Sequence, residues 1–380
     1  MGIKSLGADG KLRSLAACLL LSILALFISV RAEARTFEEL SAEASAAREQ
    51  NNPSRAIELY TQALQVNPKS TEAWWFLGSL QYQMEQYAPA TAALSRYLEL
   101  IPDAAPALAL RGLCEFETRD FQAALTDIQK GIARGAANDD RHEQILHYHE
   151  GMLLTRLGRF DDAVRSYSFF AEKQISSPEL MLAIGLAGLR MPLLPADLKP
   201  EQQDLVGSTG VAGYRFLSGD AKEGQQAFEN VFQRFPATRN LHYFYGYLLY
   251  AREPDSALAE FQNELKVAPE NLDALIMAAW VFLMEDQPGE ALPLAQRAVQ
   301  VKADSVTAQL VLGRSLMETE NLKDGLEHLE QALKLGPDDL EVHIALATAY
   351  SKSGRKEEAR NERMLCLQLT RSGGTQVASR

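Results

Sequence analysis

The pattern of apolar and polar positions repeats along the chain with a period of about 34 residues. In one such period Trp74, Leu77 and Gly78 share a face of a predicted helix, because they are spaced by three and four positions. Ala90 and Leu94 then mark the apolar face of a second predicted helix. A fixed period of this length predicts stacked copies of one helix pair rather than a globular domain.

Small residues recur at the same two places in this period. One stands in the first helix of each pair, and a second follows eleven or twelve positions later in the second helix. We assign them to the crossing of the two helices, where a larger side chain would overpack the contact. The residues assigned to this packing are Gly78, Ala90, Gly112, Ala124, Gly151, Ala163, Gly246, Ala257, Gly313 and Ala359.

These positions resemble the tetratricopeptide repeat. That family places an aromatic residue or Leu, a Leu, a Gly or Ala, and later an Ala, an aromatic residue and a Pro along each repeat. The matching residues are Trp74, Leu77, Gly78, Ala90, Leu94 and Pro102; Ala56, Tyr60, Ala63 and Pro68; Gly246, Ala257, Phe261 and Pro269; and Leu312, Gly313, Ala332 and Pro337. The resemblance extends over nearly all of residues 36–373 and implies an all-α, right-handed superhelical solenoid of antiparallel helix pairs.

Breaks in the 34-residue period predict that the chain is divided into two segments of repeats. We expect an N-terminal segment of about four repeats at 35–177 and a C-terminal segment of about five repeats at 205–373. Between them, residues 178–204 contain one helix-like stretch followed by three prolines, so no second helix is expected there. This stretch is either a degenerate repeat or a functional hinge between the segments. Residues 374–380 are expected to form a disordered tail.

Residues 1–34 have a different pattern. A basic start precedes an uncharged apolar run from Leu15 to Val30, and small residues flank Glu33 before position 35. This order predicts a secretory signal peptide cleaved after Ala34, which would place the protein in the periplasm or outside a bacterial cell. The run is shorter than the roughly 20 residues that span a bilayer comfortably. The alternative is an uncleaved segment that anchors the chain in the membrane.

Charge and cysteine content narrow the range of partners. The net charge is −12, and it becomes −14 without residues 1–34, which contribute +2. Such a surface repels nucleic-acid phosphates and anionic lipids, so no nucleic-acid partner is expected, and membrane contact is expected only if residues 1–34 remain attached. Cys114 and Cys366 lie at distant places in the array, so we expect buried thiols rather than a disulfide.

The sequence offers no convincing catalytic or cofactor site. His142, His147 and His149 lie close in sequence to Glu143 and Glu150, but the HExxH spacing of zinc enzymes is absent. We therefore predict no catalytic residues, no metal and no cofactor. A metal-dependent hydrolase that uses this cluster is a remote alternative.

The resemblance also implies a binding surface, since the first helices of tetratricopeptide arrays line a concave groove that binds peptides. The corresponding face here is aromatic and aliphatic in the middle of the chain and contains no lysine, so it lacks the basic clamp of family members that grip acidic C-terminal peptides. Exposed aromatic side chains often anchor interfaces. The assigned groove residues are Trp75, Tyr82, Phe116, Tyr148, Phe216, Tyr243, Tyr247, Tyr250, Trp280 and Met317. The alternative is that tight curvature buries many of them.

Together these observations predict an exported, non-enzymatic scaffold that binds a protein or peptide partner through its concave face, with cell-envelope assembly as one setting. A membrane-tethered assembly subunit, held by an uncleaved N-terminal helix, is the main alternative.

Overall fold

The computed structural model describes residues 35–378, with side-chain surroundings given as far as Arg371. The predicted signal peptide and its cleavage site at Ala34 lie outside the described residues. The described residues form nineteen α-helices and one short 3-10 helix, without a β-strand. This confirms the predicted all-α architecture of antiparallel helix pairs. The chain divides into two compact units, Met1–Pro102 and Asp103–Arg380.

The described part of the first unit contains two helix pairs. Its helices are α1 (Phe37–Glu49), α2 (Pro53–Val66), α3 (Thr71–Gln83) and α4 (Tyr87–Leu100). α1 begins at a capping box, in which the Thr36 hydroxyl accepts from the Glu39 N–H and the Glu39 carboxylate accepts from the Thr36 N–H. Leu59, Tyr60 and Leu77 lie in the buried core that the pairs share. The pairs are thus held together by the apolar stripes that the sequence pattern predicts.

The described part of the second unit contains the 3-10 helix Pro195–Asp197 and the remaining fifteen α-helices. They are α5 (Ala105–Glu117), α6 (Phe121–Ala133), α7 (Asp140–Arg156), α8 (Phe160–Glu172), α9 (Pro178–Gly188), α10 (Pro200–Leu217), α11 (Ala221–Arg234), α12 (Leu241–Leu249), α13 (Pro254–Val267), α14 (Leu272–Met284), α15 (Pro288–Val301), α16 (Val306–Glu318), α17 (Leu322–Leu335), α18 (Leu340–Lys352) and α19 (Lys356–Ala378). The helical segment α19 therefore includes residues 374–378, which were expected to form part of a tail.

The residues assigned to helix crossings are buried in the structure. Ala90, Ala124, Ala163 and Ala257 have no exposed surface. A Cβ atom added to the glycines of the first helices would lie within 2.9 Å of a side chain on the second helix of the same pair; this holds for Gly78, Gly112, Gly151, Gly246 and Gly313. Real Cβ atoms do not approach so closely, so these positions require small residues for steric reasons.

The helix in segment 178–204 was expected to have no second helix as a partner, but the structure provides one. α9 packs against α10, and one apolar core runs from Ala105 to Val281 across this segment. The prolines do not prevent a helix here, because Pro200 occupies the first position of α10, where its missing N–H and fixed φ are tolerated. α10 also packs against α11, so it is shared between two helices.

Candidate protein-interaction surface

The structure separates the ten assigned groove residues into two groups. Phe216, Tyr243 and Met317 are only 6%, 3% and 6% exposed, so they form part of the core and are not available to a partner in this conformation. Neighbouring helices cover them, as the alternative interpretation of the pattern allowed. The other seven are partly exposed, namely Trp75, Tyr82, Phe116, Tyr148, Tyr247, Tyr250 and Trp280.

Tyr243 belongs to a polar cluster around Arg190, which lies just after α9. The Arg190 guanidinium donates to Asp161 on α8 at 2.8 Å and lies 2.9 Å from a carboxylate oxygen of Asp273 on α14. It also lies 4.7 Å from the centre of the Tyr243 ring on α12. One arginine thus connects the extra helix α9 to three other helices through ion pairs and a cation–π contact.

Burial dominates the electrostatics of this cluster. It raises the pKa of the Asp273 carboxyl, and the charge of Arg190 only partly opposes this effect. Burial also raises the pKa of the Tyr243 phenol, with a further contribution from the charge of Asp161. Asp161 and Asp273 retain part of their surface in solvent, but both are paired with Arg190, so we interpret the cluster as structural.

A second cluster of side chains, which we call the Trp280 patch, consists of Tyr250, Trp280, Met284 and Arg314. Arg314 on α16 lies 4.5 Å from the centre of the Trp280 ring on α14. The Tyr250 hydroxyl, at the end of α12, donates to the Met284 sulfur at 3.0 Å. Met284 is 63% exposed, more than any other large apolar side chain in the described residues.

The Trp280 patch has the composition of a binding surface. It combines two aromatic rings, a flexible thioether and a guanidinium on three successive first helices. Aromatic and arginine side chains are enriched among the residues that contribute most to protein interfaces, and methionine adapts to varied partners. Within the described part of the chain no carboxylate lies within ion-pair distance of Arg314. This guanidinium can therefore pair with an acidic group of a partner.

The sequence pattern identified part of this patch. Tyr250 and Trp280 occupy predicted groove positions, whereas Met284 was not assigned because it follows the last of the three groove positions on its helix. Its exposure at the end of α14, next to Tyr250, depends on how successive repeats are stacked.

The described part of the first unit has its own aromatic contacts. The rings of Trp75 and Tyr97 are 5.7 Å apart, and those of Tyr82 and Tyr87 are 5.9 Å apart. Each contact joins the first and second helix of one pair. Trp75 and Tyr82 are half-buried, so each presents only part of its surface to solvent.

The histidines that were considered as metal ligands have separate partners. Nδ1 of His142 lies 2.8 Å from the Asp139 carboxylate, and Nδ1 of His149 lies 2.7 Å from the Ile145 carbonyl oxygen. The ring of His147 stacks on a phenylalanine ring with centroids 4.2 Å apart. Residues 35–371 contain no group of three or more His, Cys, Asp or Glu side chains placed to hold a metal ion.

The pKa of one carboxyl group, that of Glu115, is strongly raised. Glu115 lies on α5 in the core, where burial and the charge of Asp127 raise its pKa to about 7. The charge of Arg111, whose Nε lies 3.6 Å from a carboxylate oxygen of Glu115, only partly opposes this rise. Arg111 donates instead to Asp127 at 2.5 Å, and one oxygen of Glu115 is buried without a hydrogen-bond partner. Glu115 does not line the grooves beside α10 or the groove between α18 and α19, and its charged neighbours lie in the packed helices α5 and α6, so we assign it to packing rather than to chemistry.

This raised pKa makes the stability of the protein depend on pH. A carboxyl whose folded-state pKa exceeds its unfolded value stabilises the fold at low pH, and this contribution is lost as pH rises from about 4.5 to about 7. Glu115→Gln keeps the shape but does not ionise. We expect its stability relative to the native protein to increase between pH 5 and pH 8, as measured by urea unfolding. Glu117→Gln, at an exposed position of the same helix, is the control and should show no such trend.

Within the described part of the chain neither cysteine forms a disulfide. Cys114 is buried and Cys366 is partly buried. No helix among the described residues has the length and apolar character needed to cross a bilayer.

Comparisons with known proteins point to one family. Two tetratricopeptide-repeat family models match the chain, one at residues 47–114 and 316–362 and the other at residues 247–305. Anaphase-promoting complex subunit 7 of Mus musculus is 27% identical over 160 residues, which is 41% of this chain and 27% of that protein. Protein FlbA of Caulobacter vibrioides is 27% identical over 124 residues, which is 33% of this chain and 20% of FlbA. The match thus spans about a quarter of the length of these relatives.

Solved structures with a similar fold include MamA from Desulfovibrio magneticus RS-1. It is 20% identical, with a TM-score of 0.40, over 43% of this chain and 94% of MamA. YrrB, described as a tetratricopeptide-repeat protein with an unusual peptide-binding site, is 18% identical, with a TM-score of 0.38, over 46% of this chain and 91% of YrrB.

Proposed function

Since the chain belongs to the tetratricopeptide-repeat family, we propose that it is an exported, non-enzymatic scaffold that binds a protein or peptide partner. The binding site is the Trp280 patch on the first helices of the C-terminal repeats. Its partner has an apolar or aromatic segment that packs on Trp280 and Met284, with an acidic group that pairs with Arg314.

The observation that carries this proposal is the exposure of Met284 on α14, the helix whose Trp280 ring lies against Arg314, a guanidinium without a carboxylate partner in the described part of the chain. Met284 is 63% exposed, and contact of an apolar side chain with water is unfavourable. Burial of Met284 against a partner would therefore contribute favourable free energy to binding. Burial raises the pKa of the Tyr250 phenol, while the charge of Arg314 opposes this effect. Apolar surface and positive charge therefore meet at one place on an otherwise acidic protein.

Export rests on the N-terminal sequence alone. The basic start, the apolar run and the small residues before position 35 support cleavage and a location in the periplasm or outside the cell. Envelope assembly is the setting we propose; anaphase-promoting complex subunit 7 is, by its name, a component of a protein complex. A membrane-tethered assembly subunit is the second candidate, because the same apolar run could act as an anchor. N-terminal sequencing distinguishes them: a start at Arg35 excludes the tether, and an intact N terminus contradicts cleavage and favours the tethered subunit.

Substitutions in the Trp280 patch should weaken partner binding without unfolding the protein. We expect Trp280→Ala to reduce affinity about 30-fold, the effect of removing one dominant interface residue, and Arg314→Glu to reduce it by about 10-fold or more. The measurement is isothermal titration with the partner that co-purifies with the native protein.

Two variants on second helices serve as matched controls. Lys323→Glu reverses a charge on α17, and Val301→Ser removes an exposed apolar side chain at the end of α15. Both should bind the partner with native affinity. Native affinity in Trp280→Ala and Arg314→Glu, with unchanged helical content, would refute the assignment of the patch.

A further inference from the structure

The last helix pair leaves an apolar face uncovered in the described part of the chain. Ile344 on α18 is 45% exposed, and Met364 and Leu367 on α19 are 52% and 54% exposed. A groove of about 420 Å³ lies between the two helices, lined in part by Ile344, Arg363 and Leu367. A repeat whose outer face no further helix covers normally presents polar residues there, so this exposed apolar face is a candidate contact surface.

The repeat itself indicates what covers the equivalent face elsewhere. Arg363 corresponds, one repeat earlier, to Leu329 on α17. Leu329 has no exposed surface, and it lies in one apolar cluster with Val342 and Leu346 of α18. The face of each preceding repeat is thus covered by the first helix of the next repeat. The occupant that fits the terminal groove is a helix of the same kind.

The first helix of this chain, α1, has the complementary charges at the required positions. Counted from the small residue of each first helix, Glu39 and Glu43 occupy the positions that Val342 and Leu346 occupy in α18. Both glutamates are exposed, and the described part of the chain places no preceding helix over them. An acidic face on α1 therefore matches the position at which Arg363 replaces a leucine on α19.

We propose that the protein associates with a second copy of itself head to tail, with α1 of one copy lying in the groove between α18 and α19 of the other. The contact continues the packing of one repeat on the next. Ile344 and Leu367 provide its apolar part. Arg363 pairs with Glu39 and Glu43 of the second copy, in the register in which Leu329 packs near Val342 and Leu346.

Arg363 and Glu43 are available to pair across the contact, whereas the Glu39 carboxylate also accepts from the Thr36 N–H in the capping box of α1. Arg363 donates to the Ser351 hydroxyl at 2.5 Å, and no carboxylate in the described residues lies within ion-pair distance of it. Glu43 forms an exposed ion pair with Arg35, and exposed pairs of this type contribute little to stability. A second basic partner can therefore be accommodated at low cost.

A contact between two different faces has a consequence for assembly. Each copy in such a contact retains one unused α1 or one unused terminal groove, so association does not stop at a symmetric dimer and continues to larger assemblies, either closed rings or open chains. A contact of two terminal grooves with each other, or occupation of the groove by an unrelated protein, would not involve the face of α1. Charge reversal on α1 and on α19 distinguishes these occupants.

Charge reversal tests the proposal by sedimentation velocity over a series of concentrations from about 1 µM to about 500 µM, which covers weak association. We expect the native protein to self-associate with increasing concentration. Arg363→Glu, and in a separate protein Glu43→Arg, which leaves the capping box of Thr36 and Glu39 intact, should each weaken self-association about 10-fold or more, because like charges then meet. Lys323→Glu on α17 is the charge-matched control and should behave as the native protein does.

An equimolar mixture of the two charge-reversed proteins is the decisive sample. In the mixture, the groove with Glu at position 363 meets the α1 that carries Arg, and the native groove with Arg363 meets the native acidic α1. Opposite charges therefore face each other in both contacts, so association should return to the native level. Circular dichroism of each variant verifies that folding is unchanged. A native protein that stays monomeric throughout the series, native self-association in Arg363→Glu, or a mixture that fails to associate would each overturn the proposal. If the α1 variant still associates as the native protein does while Arg363→Glu does not, the proposal is also wrong, and the result supports contact between two terminal grooves.

Discussion

Gly210→Ala is expected to lower the free energy of unfolding of the second unit by about 3 kcal/mol, the upper range for overpacking a core. A Cβ atom at this position would lie 1.7 Å from the carbonyl oxygen of Met181 and 3.0 Å from the backbone nitrogen of Gly185. These atoms belong to the backbone of α9, so no side-chain rotation can relieve the clash. The two helices would have to separate. Urea unfolding followed by circular dichroism measures the loss.

Gly289→Ala provides the control for this substitution. Gly289 lies in α15, it is exposed, and a Cβ atom added to it would have no neighbouring atom within 4 Å. Alanine there should stabilise the protein by up to about 1 kcal/mol, because it has the higher helix propensity. Equal urea midpoints for Gly210→Ala and the native protein would contradict the close packing of α9 on α10.

Glu264→Leu is expected to cost about 3 kcal/mol or more, since it removes the acceptor at the centre of a buried polar network. Glu264 on α13 is fully buried. Its carboxylate accepts from the Asn240 N–H at 2.8 Å, from the Tyr243 N–H at 3.3 Å and from the Asn271 side chain at 2.9 Å. The substitution would leave the Asn240 and Tyr243 N–H groups without this acceptor and would remove one of the two hydrogen bonds that the Asn271 side-chain amide donates.

The network explains how α12 begins without a side-chain cap of its own. Asn240 stands before α12 with φ of 67° and donates to the Leu189 carbonyl oxygen at 3.0 Å, at the end of α9. Glu264 supplies the acceptor that an N-cap side chain normally provides. Glu264→Gln retains one acceptor oxygen and should lose about 1 kcal/mol. A Leu variant as stable as the Gln variant in urea would show that the network does not stabilise the fold.

The regular part of the fold could be predicted from single residues. Small residues such as Gly78 and Ala90 fix the phase of each helix pair, because only small side chains fit at the crossing. The same phase assigned Tyr250 and Trp280 to the first-helix face, and in the structure Trp280 lies on α14 and Tyr250 directly follows α12. Periodicity succeeds here because each repeat packs mainly against its neighbours in the sequence.

The irregular part required the structure. The prolines after α9 suggested the end of a helical pair, yet Pro200 starts α10, and the glycines at 185 and 210 bring the two helices together. Tyr243 was assigned to the groove from its spacing, but Arg190, which is distant from it in the sequence, packs over its ring and contributes to its burial. Contacts between such distant positions do not follow the repeat, so no sequence period reveals them.

The most direct test of the Trp280 patch as a partner-binding surface is photo-crosslinking in the native cell from a reactive amino acid placed at Met284. The proposed function predicts a defined protein adduct that forms from position 284, does not form from the control position 301, and disappears when Arg314→Glu is added. Absence of a protein adduct from position 284, or the same adduct from both positions and with Arg314→Glu, would contradict it.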